Sequence, residues 1–382
     1  MPRDPQALEA ILRVAIVPGI GPARLSALLA RFGGVEQVLR ASAREVSEIP
    51  GFGPELARRV ASAGTDEGLQ RARTAYRALR QAGAVVVTAQ DDVYPAAFRT
   101  LPDPPLVLYA LGDVHLLGDP GIGVVGTRLP TDYGRRTAAG LARELARAGY
   151  SIVSGMAKGI DAVAQAAALD AGGATVGVLG HGIDRVYPTE NELLFARVRE
   201  RGLLITELPP GEEPLAGNFP RRNRLIAALS AGVLVVEMGE RSGAKHTVDY
   251  ALELGKEVFA VPGPIGSPAS AGTNQLLKDG ARLVTSARDV LEELHGVGLT
   301  PRAGFVPAPS ADVVAPPPRP VVPPDLAPDE ARVFAGLSDT PRHVDDLAAA
   351  LGMPTSAALT ALLGLELREL VEALPGKQFR LR

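Results

Sequence analysis

The chain has 382 residues, a length that favours two or three domains over one. It contains no cysteine, so disulfides, thiolate catalysis and cysteine-based metal sites are excluded. The formal net charge of −3 excludes a uniformly basic surface for nucleic acid, so any anion site must be a local patch. The N-terminus has no apolar signal core, and no run approaches the roughly 20 apolar residues of a membrane span. These features predict a soluble cytoplasmic protein.

Residues 1–69 predict a helical domain with a repeated turn. The segments beginning at Val17 and Ile49 share an apolar residue, a proline and Gly-x-Gly-Pro before a helix, which is the pattern of helix-hairpin-helix modules. Such a turn can offer backbone N–H groups to a DNA phosphate, or its glycines can serve only to connect two helices tightly. Glu55 precedes the arginines of the second module, so packing or partner binding is favoured here over DNA contact.

Residues 70–297 predict a doubly wound α/β domain. Its apolar runs are rich in Val, Ile and Leu and alternate with helical patterns, as in a parallel sheet that is covered on both faces. The clearest unit extends from Gly121 to Asp161. It comprises a strand, an amphipathic helix with Leu141 and Leu145 on one face, and a second strand. Strand, helix and strand at this length predict a βαβ unit.

The C-terminal part predicts a linker and a small domain. Residues 298–324 contain nine prolines, which is typical of a semi-rigid extended spacer. Residues 325–382 predict three helices followed by a β-hairpin, the arrangement of a winged helix. The third helix, from Thr355, has no basic residue before Arg368, so it favours packing on protein over reading of bases.

Several enzyme and cofactor motifs are absent or incomplete. The segment Gly121 to Gly126 matches G-x-G-x-x-G, but its glycines straddle the strand, and the second strand ends without the acidic residue of a dinucleotide site. The chain has no P-loop, its five histidines lack metal-ligand spacing, and Ser154 lacks the G-x-S-x-G elbow of hydrolases. We therefore expect no cofactor, no metal and no catalytic residue.

Two groups of basic residues predict a phosphate site. Arg128 and Lys158 each follow a strand, so both should stand at the carboxyl edge of the sheet, beside helix N-termini that attract anions. Arg221, Arg222 and Arg224 fall at the start of a helix, where cations oppose the helix dipole unless an anion intervenes.

The use of each arginine in this second group, and that of the neighbouring Phe219, remains open. One of the three arginines is expected to pair with an internal carboxylate such as Glu207 or Glu237. The remaining positive charge suits a run of phosphates, and Phe219 is equally suited to stacking on a base or to burial in the core.

Six segments of the chain, taken in order, resemble motifs of the DprA (Smf) family of DNA-processing proteins. They are GTR with TDYG, SGMAKGID, GHGIDRVYPTEN, TELPPGEEP, NFPRRNRLIAALS and VFAVPG. The resemblance covers essentially the whole chain. It implies an N-terminal SAM-like domain, an extended Rossmann core and a DprA-type winged helix. It also implies a non-catalytic homodimer that binds and protects incoming single-stranded DNA in natural transformation and loads RecA onto it. The single-strand-binding protein is a further candidate partner.

The resemblance also implies a set of DNA-binding residues. Arg128 matches the arginine of the family's G-S/T-R motif, and Lys158 and the arginine cluster fall in its DNA-binding pocket. The full expected set is Gly126, Thr127, Arg128, Ser154, Gly155, Lys158, Phe219, Arg221, Arg222, Asn223, Arg224 and Lys245. The chain departs from the family at Gln165, where a histidine is usual, and at SGAKHT, which brings Lys245 to the expected pocket mouth.

The alternative from another class is a nucleotide-processing enzyme. The lysine-decarboxylase-like phosphoribohydrolases have a related Rossmann core and need P-G-G-x-G-T-x-x-E for phosphate and for chemistry. The comparable segment here, MGERSGAKHTVDYALE, lacks the double glycine and the G-T-x-x-E. DNA binding is therefore favoured over hydrolysis.

Overall fold

A computed structural model of the protein describes residues 5–296, 323, 326–337, 341–374 and 376–381. Its contacts divide the chain into two compact units, residues 1–308 and 309–382. The segment predicted as a proline-rich linker lies outside the described residues except for Pro323.

The first unit begins with helices joined by short turns. Two of them begin at the proline of the Gly-x-Gly-Pro repeat, because proline lacks the N–H that a first helical turn cannot pair. Gly19 and Gly51 have φ angles of +90° and +84°, a left-handed conformation that favours glycine, which explains the repeated residue. The helices are α1 (Pro5–Ala15), α2 (Pro22–Phe32), α3 (Val35–Arg40), α4 (Ala43–Ser47), α5 (Pro54–Ala63) and α6 (Asp66–Gln81).

A nine-stranded sheet follows. The strands are β1 (Val85–Thr88), β2 (Val107–Gly112), β3 (Gly121–Val125), β4 (Ser151–Ser154), β5 (Thr175–Val178), β6 (Leu203–Thr206), β7 (Ser230–Val235), β8 (Glu257–Ala260) and β9 (Arg282–Leu283). Their order is β1-β2-β6-β5-β4-β3-β7-β8-β9. The predicted parallel pairing is confirmed from β6 to β9, whereas β2 runs antiparallel to both β1 and β6. An apolar run carries no information on strand direction, so this difference was not visible in the pattern.

Helices cover both faces of the sheet, as the predicted doubly wound architecture requires. Leu234 of β7 belongs to an apolar cluster with Leu145, and its neighbour Val233 belongs to a second cluster with Leu225 and Val248, because side chains alternate along a strand. The helices of this part are α7 (Ala96–Arg99), α8 (Asp132–Arg147), α9 (Ile160–Asp170), α10 (Glu192–Arg201), α11 (Asn218–Leu229), α12 (Ala244–Glu253), α13 (Ala271–Lys278) and α14 (Ala287–Gly296).

A third apolar cluster joins the N-terminal helices to the sheet. It contains Leu12 and Leu28 from the first helices together with Tyr109 and Leu204 from β2 and β6. The N-terminal helices and the sheet therefore share one buried core.

The second unit is a winged helix, as predicted. Its elements are α15 (Pro328–Gly336), β10 (Arg342–His343), α16 (Val344–Leu351), α17 (Thr355–Leu367), β11 (Val371–Leu374) and β12 (Gln378–Leu381), and the strands pair in the order β10-β12-β11. Among the described residues, no single helix is long and apolar enough to cross a membrane. The pair α16 and α17, bent by 110°, meets that test of length and composition only when both helices are taken together.

Candidate nucleic-acid interface

A cavity of about 750 Å³ lies at the carboxyl edge of the sheet, between the loops after β3 and β7. The chain proceeds from β3 towards β6 on one side, and from β7 towards β9 on the other. This reversal separates the two loops, which is why open α/β sheets bind ligands at such a point. The loop after β4 and the start of α11 complete the cavity wall.

Arg128 is the clearest cation of this cavity. It lies three residues after β3, lines the cavity and is exposed. Its guanidinium lies 5.9 Å from the centre of the Phe219 ring. Within the described part of the chain it has no carboxylate partner, so its charge is available to an incoming anion.

Arg222 is buried and holds the loop after β4. Its Nη1 donates to the carbonyl of Gly155 at 2.8 Å and to the carbonyl of Val178. Burial lowers the pKa of the Arg222 guanidinium to about 10, with the Asp161 carboxylate opposing that shift, so the group remains charged at neutral pH. Asp161 in turn accepts from the N–H of Gly155 at 3.0 Å. Although both ionic side chains border the cavity floor, their hydrogen bonds point into the protein.

Arg224 forms a buried ion pair with Glu207, with exposed side-chain fractions of 7% and 3%. The expectation that one arginine of the cluster pairs internally is therefore confirmed. This pair lies behind α11, and it leaves Arg224 without a surface that a phosphate could reach.

Three other predicted cations pair with carboxylates at the surface. Arg221 pairs with Asp103 at 3.1 Å, Lys245 pairs with Asp249 at 3.1 Å, and Lys158 pairs with Glu190. Their side chains are 41% to 59% exposed, so these pairs are weak and solvent can replace either partner. None of these three residues lines the cavity itself.

The remaining predicted residues mostly shape the backbone. Ser154 is fully buried and donates to the carbonyl of Val124 at 2.7 Å, so it offers nothing to a ligand. Gly126 lines the cavity, and a Cβ there would come within 2.7 Å of Ile160. Thr127 donates its N–H to the carbonyl of Glu237 at 2.8 Å, and the carboxamide oxygen of Asn223 accepts from Arg222 at 3.2 Å.

The helix N-terminus that follows Arg128 is already occupied. Glu237 is buried, and its carboxylate accepts from the backbone N–H of Thr131 at 2.8 Å and from the Thr131 hydroxyl, at the start of α8. The expected phosphate site at this helix start is therefore filled by a carboxylate of the protein itself. Any phosphate at this edge has to be held mainly by side chains.

Gln165 is remote from the cavity surface and supports the loop after β4. Its Oε1 accepts from the N–H of Met156 at 3.2 Å, and its Nε2 donates to the Thr175 hydroxyl at 3.1 Å. Met156 has a φ of +57°, an unfavourable value that this fixed hydrogen bond helps to hold. The departure from histidine at this position thus concerns the support of the loop.

Comparisons with known proteins identify the family of the chain. A family model described as "DNA recombination-mediator protein A" matches residues 85–295. Protein Smf of Synechocystis sp. is 32% identical over 390 residues, covering 96% of each chain. The chain belongs to the DprA (Smf) family.

Two further family models match other parts of the chain: a SAM-like helix-hairpin-helix tandem at residues 11–63 and the DprA winged helix domain at residues 315–377. The crystal structure of DprA from Streptococcus pneumoniae is 34% identical with a TM-score of 0.63, covering 74% of this chain and 95% of that chain. A structure of DprA from Helicobacter pylori, described as showing a single-stranded DNA binding mode, is 34% identical with a TM-score of 0.51, covering 56% of this chain and 96% of that chain. The resemblance to DprA is thereby confirmed.

Three cavity residues with basic or aromatic side chains were not predicted from the sequence. Arg241 and His246, both exposed, line the wall after β7, opposite the loop that carries Arg128, and Tyr187 lines the wall near Phe219. The signal for Arg241 was available, because it follows β7 just as Arg128 follows β3. In the SGAKHT segment, Lys245 was the residue predicted to lie at the pocket mouth. Its side chain does not line the cavity and instead pairs with Asp249 along α12.

Proposed function

We propose that this DprA-family chain binds single-stranded DNA at the cavity between β3 and β7, and loads RecA onto it during natural transformation. The proposal rests on Arg128, an exposed cation at the switch point of the sheet that has no carboxylate partner among the residues the structure describes. We further propose that the protein protects the strand, acts as a homodimer in the cytoplasm, and catalyses no reaction. The single-strand-binding protein remains a candidate partner.

The cavity suits a strand better than a small ligand. Arg128 and Arg241, which have no carboxylate partner among the described residues, supply positive charge within it. Lys158 and Arg221 supply weakly paired charge outside it. Because these cations lie both inside and outside the cavity, they can engage successive phosphates of one strand.

The enzyme alternative is less well supported by the cavity. Among the described residues that line it, Asp161 is the sole carboxylate. Its oxygen is engaged by the N–H groups of Gly155 and Ala157, so it is poorly suited to serve as a general base or nucleophile.

Binding of a labelled oligonucleotide at two salt concentrations tests the central proposal. Arg128→Ala should weaken binding and flatten the log–log salt slope by roughly 0.7, the value for one phosphate contact on a single strand. Arg288→Ala is the matched control, because Arg288 is an exposed arginine of α14 that does not line the cavity. Equal affinities of the Arg128 variant and the control would contradict the proposal, as would hydrolysis of a nucleoside monophosphate.

The loading step has a separate readout. RecA ATPase activity on an oligonucleotide coated with single-strand-binding protein should rise when the wild-type chain is added. Arg128→Ala should give a smaller rise at the same concentration. A wild-type chain that binds the strand without stimulating RecA would contradict loading and leave DNA binding intact.

A further inference from the structure

Four aromatic side chains form a continuous row from the core to the cavity. Phe195 stacks on His181 with ring centres 6.1 Å apart, and His181 meets the edge of Tyr187 at 6.3 Å. Tyr187 stacks on Phe219 at 5.6 Å with 30° between the ring planes. Phe195 and His181 are buried, with 4% and 1% exposure, whereas Tyr187 is 42% exposed.

The two cavity-lining members of this row differ in what already contacts them. Phe219 is approached by the Arg128 guanidinium, and a Cβ at Gly180 would lie only 2.8 Å from its ring, so its surroundings are crowded. Tyr187 lines the same cavity, is contacted by Phe219 and His181, and still leaves 42% of its surface exposed. Between these two rings, Tyr187 is therefore the one with room for a further ring.

The support from Phe219 and His181 also fixes the orientation of Tyr187. Burial lowers the pKa of His181, so this neighbour is a neutral ring near pH 7 and adds no charge. A tyrosine has only two side-chain torsions to fix, so a supported tyrosine stacks on a ligand ring at little further entropic cost. Every nucleobase has a face that such a ring can accept, without selection of sequence.

We infer that Tyr187 is a base-stacking platform for single-stranded DNA, with Phe219 as its support and Arg128 as the neighbouring phosphate contact. The inference rests on the proposed function and assigns the base contact to Tyr187, although the sequence pointed to Phe219. It predicts that the contribution of Tyr187 to affinity depends on the bases and is independent of salt.

The test compares Tyr187→Ala and Tyr187→Phe on two probes, a mixed-sequence oligonucleotide and an abasic phosphodiester strand of equal length. Tyr187→Ala should bind the normal strand roughly 5- to 150-fold more weakly, the loss expected for one stacked base. It should bind the abasic strand like the wild type and keep the wild-type salt slope. Tyr187→Phe should retain wild-type affinity for both strands.

Tyr133→Ala is the matched control, because Tyr133 is 40% exposed, close to the exposure of Tyr187, but lies outside the cavity lining. Equal loss on the normal and the abasic strand would overturn the inference, as would a loss in Tyr187→Phe as large as in Tyr187→Ala. If Arg128→Ala weakens binding and Tyr187→Ala does not, the platform is wrong and the proposed function stands. If the wild type binds neither strand, the proposed function itself fails.

Discussion

At the scale of single residues, the partner of each cation decides its use. Arg128 and Arg222 both line the same cavity. Arg128 faces solvent, whereas Arg222 is 5% exposed and hydrogen-bonded to two carbonyls. The sequence shows the same residue type in both places. Only the packing of α11 against the β4 loop distinguishes a ligand contact from a structural cation.

Arg222→Ala should lower the free energy of unfolding by roughly 1–3 kcal/mol, because it leaves the carbonyls of Gly155 and Val178 without the donor that Arg222 provides. Arg128→Ala should leave that free energy unchanged, since Arg128 is exposed and no described carboxylate pairs with it. Urea unfolding of both variants, read through the midpoint at constant m, measures the difference. An Arg222 variant that unfolds like the wild type and yet loses DNA would show that Arg222 is a contact.

Glu190→Gln should raise the affinity for a single strand a few-fold. The hydrogen bond from Lys158 lowers the pKa of Glu190, so its carboxylate is ionised at neutral pH and competes with phosphate for Lys158. Fluorescence anisotropy with one oligonucleotide measures the change. Glu292→Gln removes the same charge from an exposed pair on α14 and should leave affinity unaltered. An equal gain in both variants would indicate only a general charge effect.

At the scale of elements, two glycines of α8 should respond in opposite directions to the same substitution. A Cβ at Gly134 would come within 2.1 Å of the Glu237 carboxylate, whereas a Cβ at Gly140 meets nothing within 4 Å. Gly140→Ala should therefore stabilise by about 0.5–1 kcal/mol, the usual gain for alanine in a helix. Gly134→Ala should destabilise by roughly 1–3 kcal/mol, because Glu237 is buried and bonded to Thr131. Urea midpoints of both variants decide this, and equal gains would mean that Glu237 moves freely.

The central strands, the two helix-hairpin-helix turns and the winged helix were predictable, because their patterns are long or chemically specific. β9 was not, since its two residues are both exposed and carry no apolar pattern. Within the site, the loop positions of Arg128 and Lys158 followed from the strand ends. The burial of Arg222 and the crowding of Phe219 did not, because they depend on which face α11 presents, and charge spacing does not report that.

At the scale of the whole molecule, removal of the C-terminal part and removal of the N-terminal helices should affect stability differently. The boundaries near residues 69, 297 and 324 remain predictions. A fragment of residues 1–297 should keep the unfolding midpoint of the first unit, because it retains all the described residues of that unit. A fragment of residues 70–297 should be less stable, because it loses Leu12 and Leu28 from the cluster that contains Tyr109 and Leu204.

Urea unfolding with size-exclusion chromatography compares these fragments. The shorter fragment should unfold at lower urea and tend to associate through the uncovered apolar surface. Equal midpoints for the two fragments would mean that the N-terminal helices fold and pack independently of the sheet.

The surface pairs Lys158–Glu190 and Arg221–Asp103 give the protein counterions of its own. When a strand takes over these two cations, DNA sheds the small ions condensed on it, but each released carboxylate attracts a new one from solution. The net number of ions set free is then smaller than the number of phosphates bound. For this protein, a salt titration should therefore count fewer contacts than the strand makes, with the shortfall located at Lys158 and Arg221 and absent at Arg128.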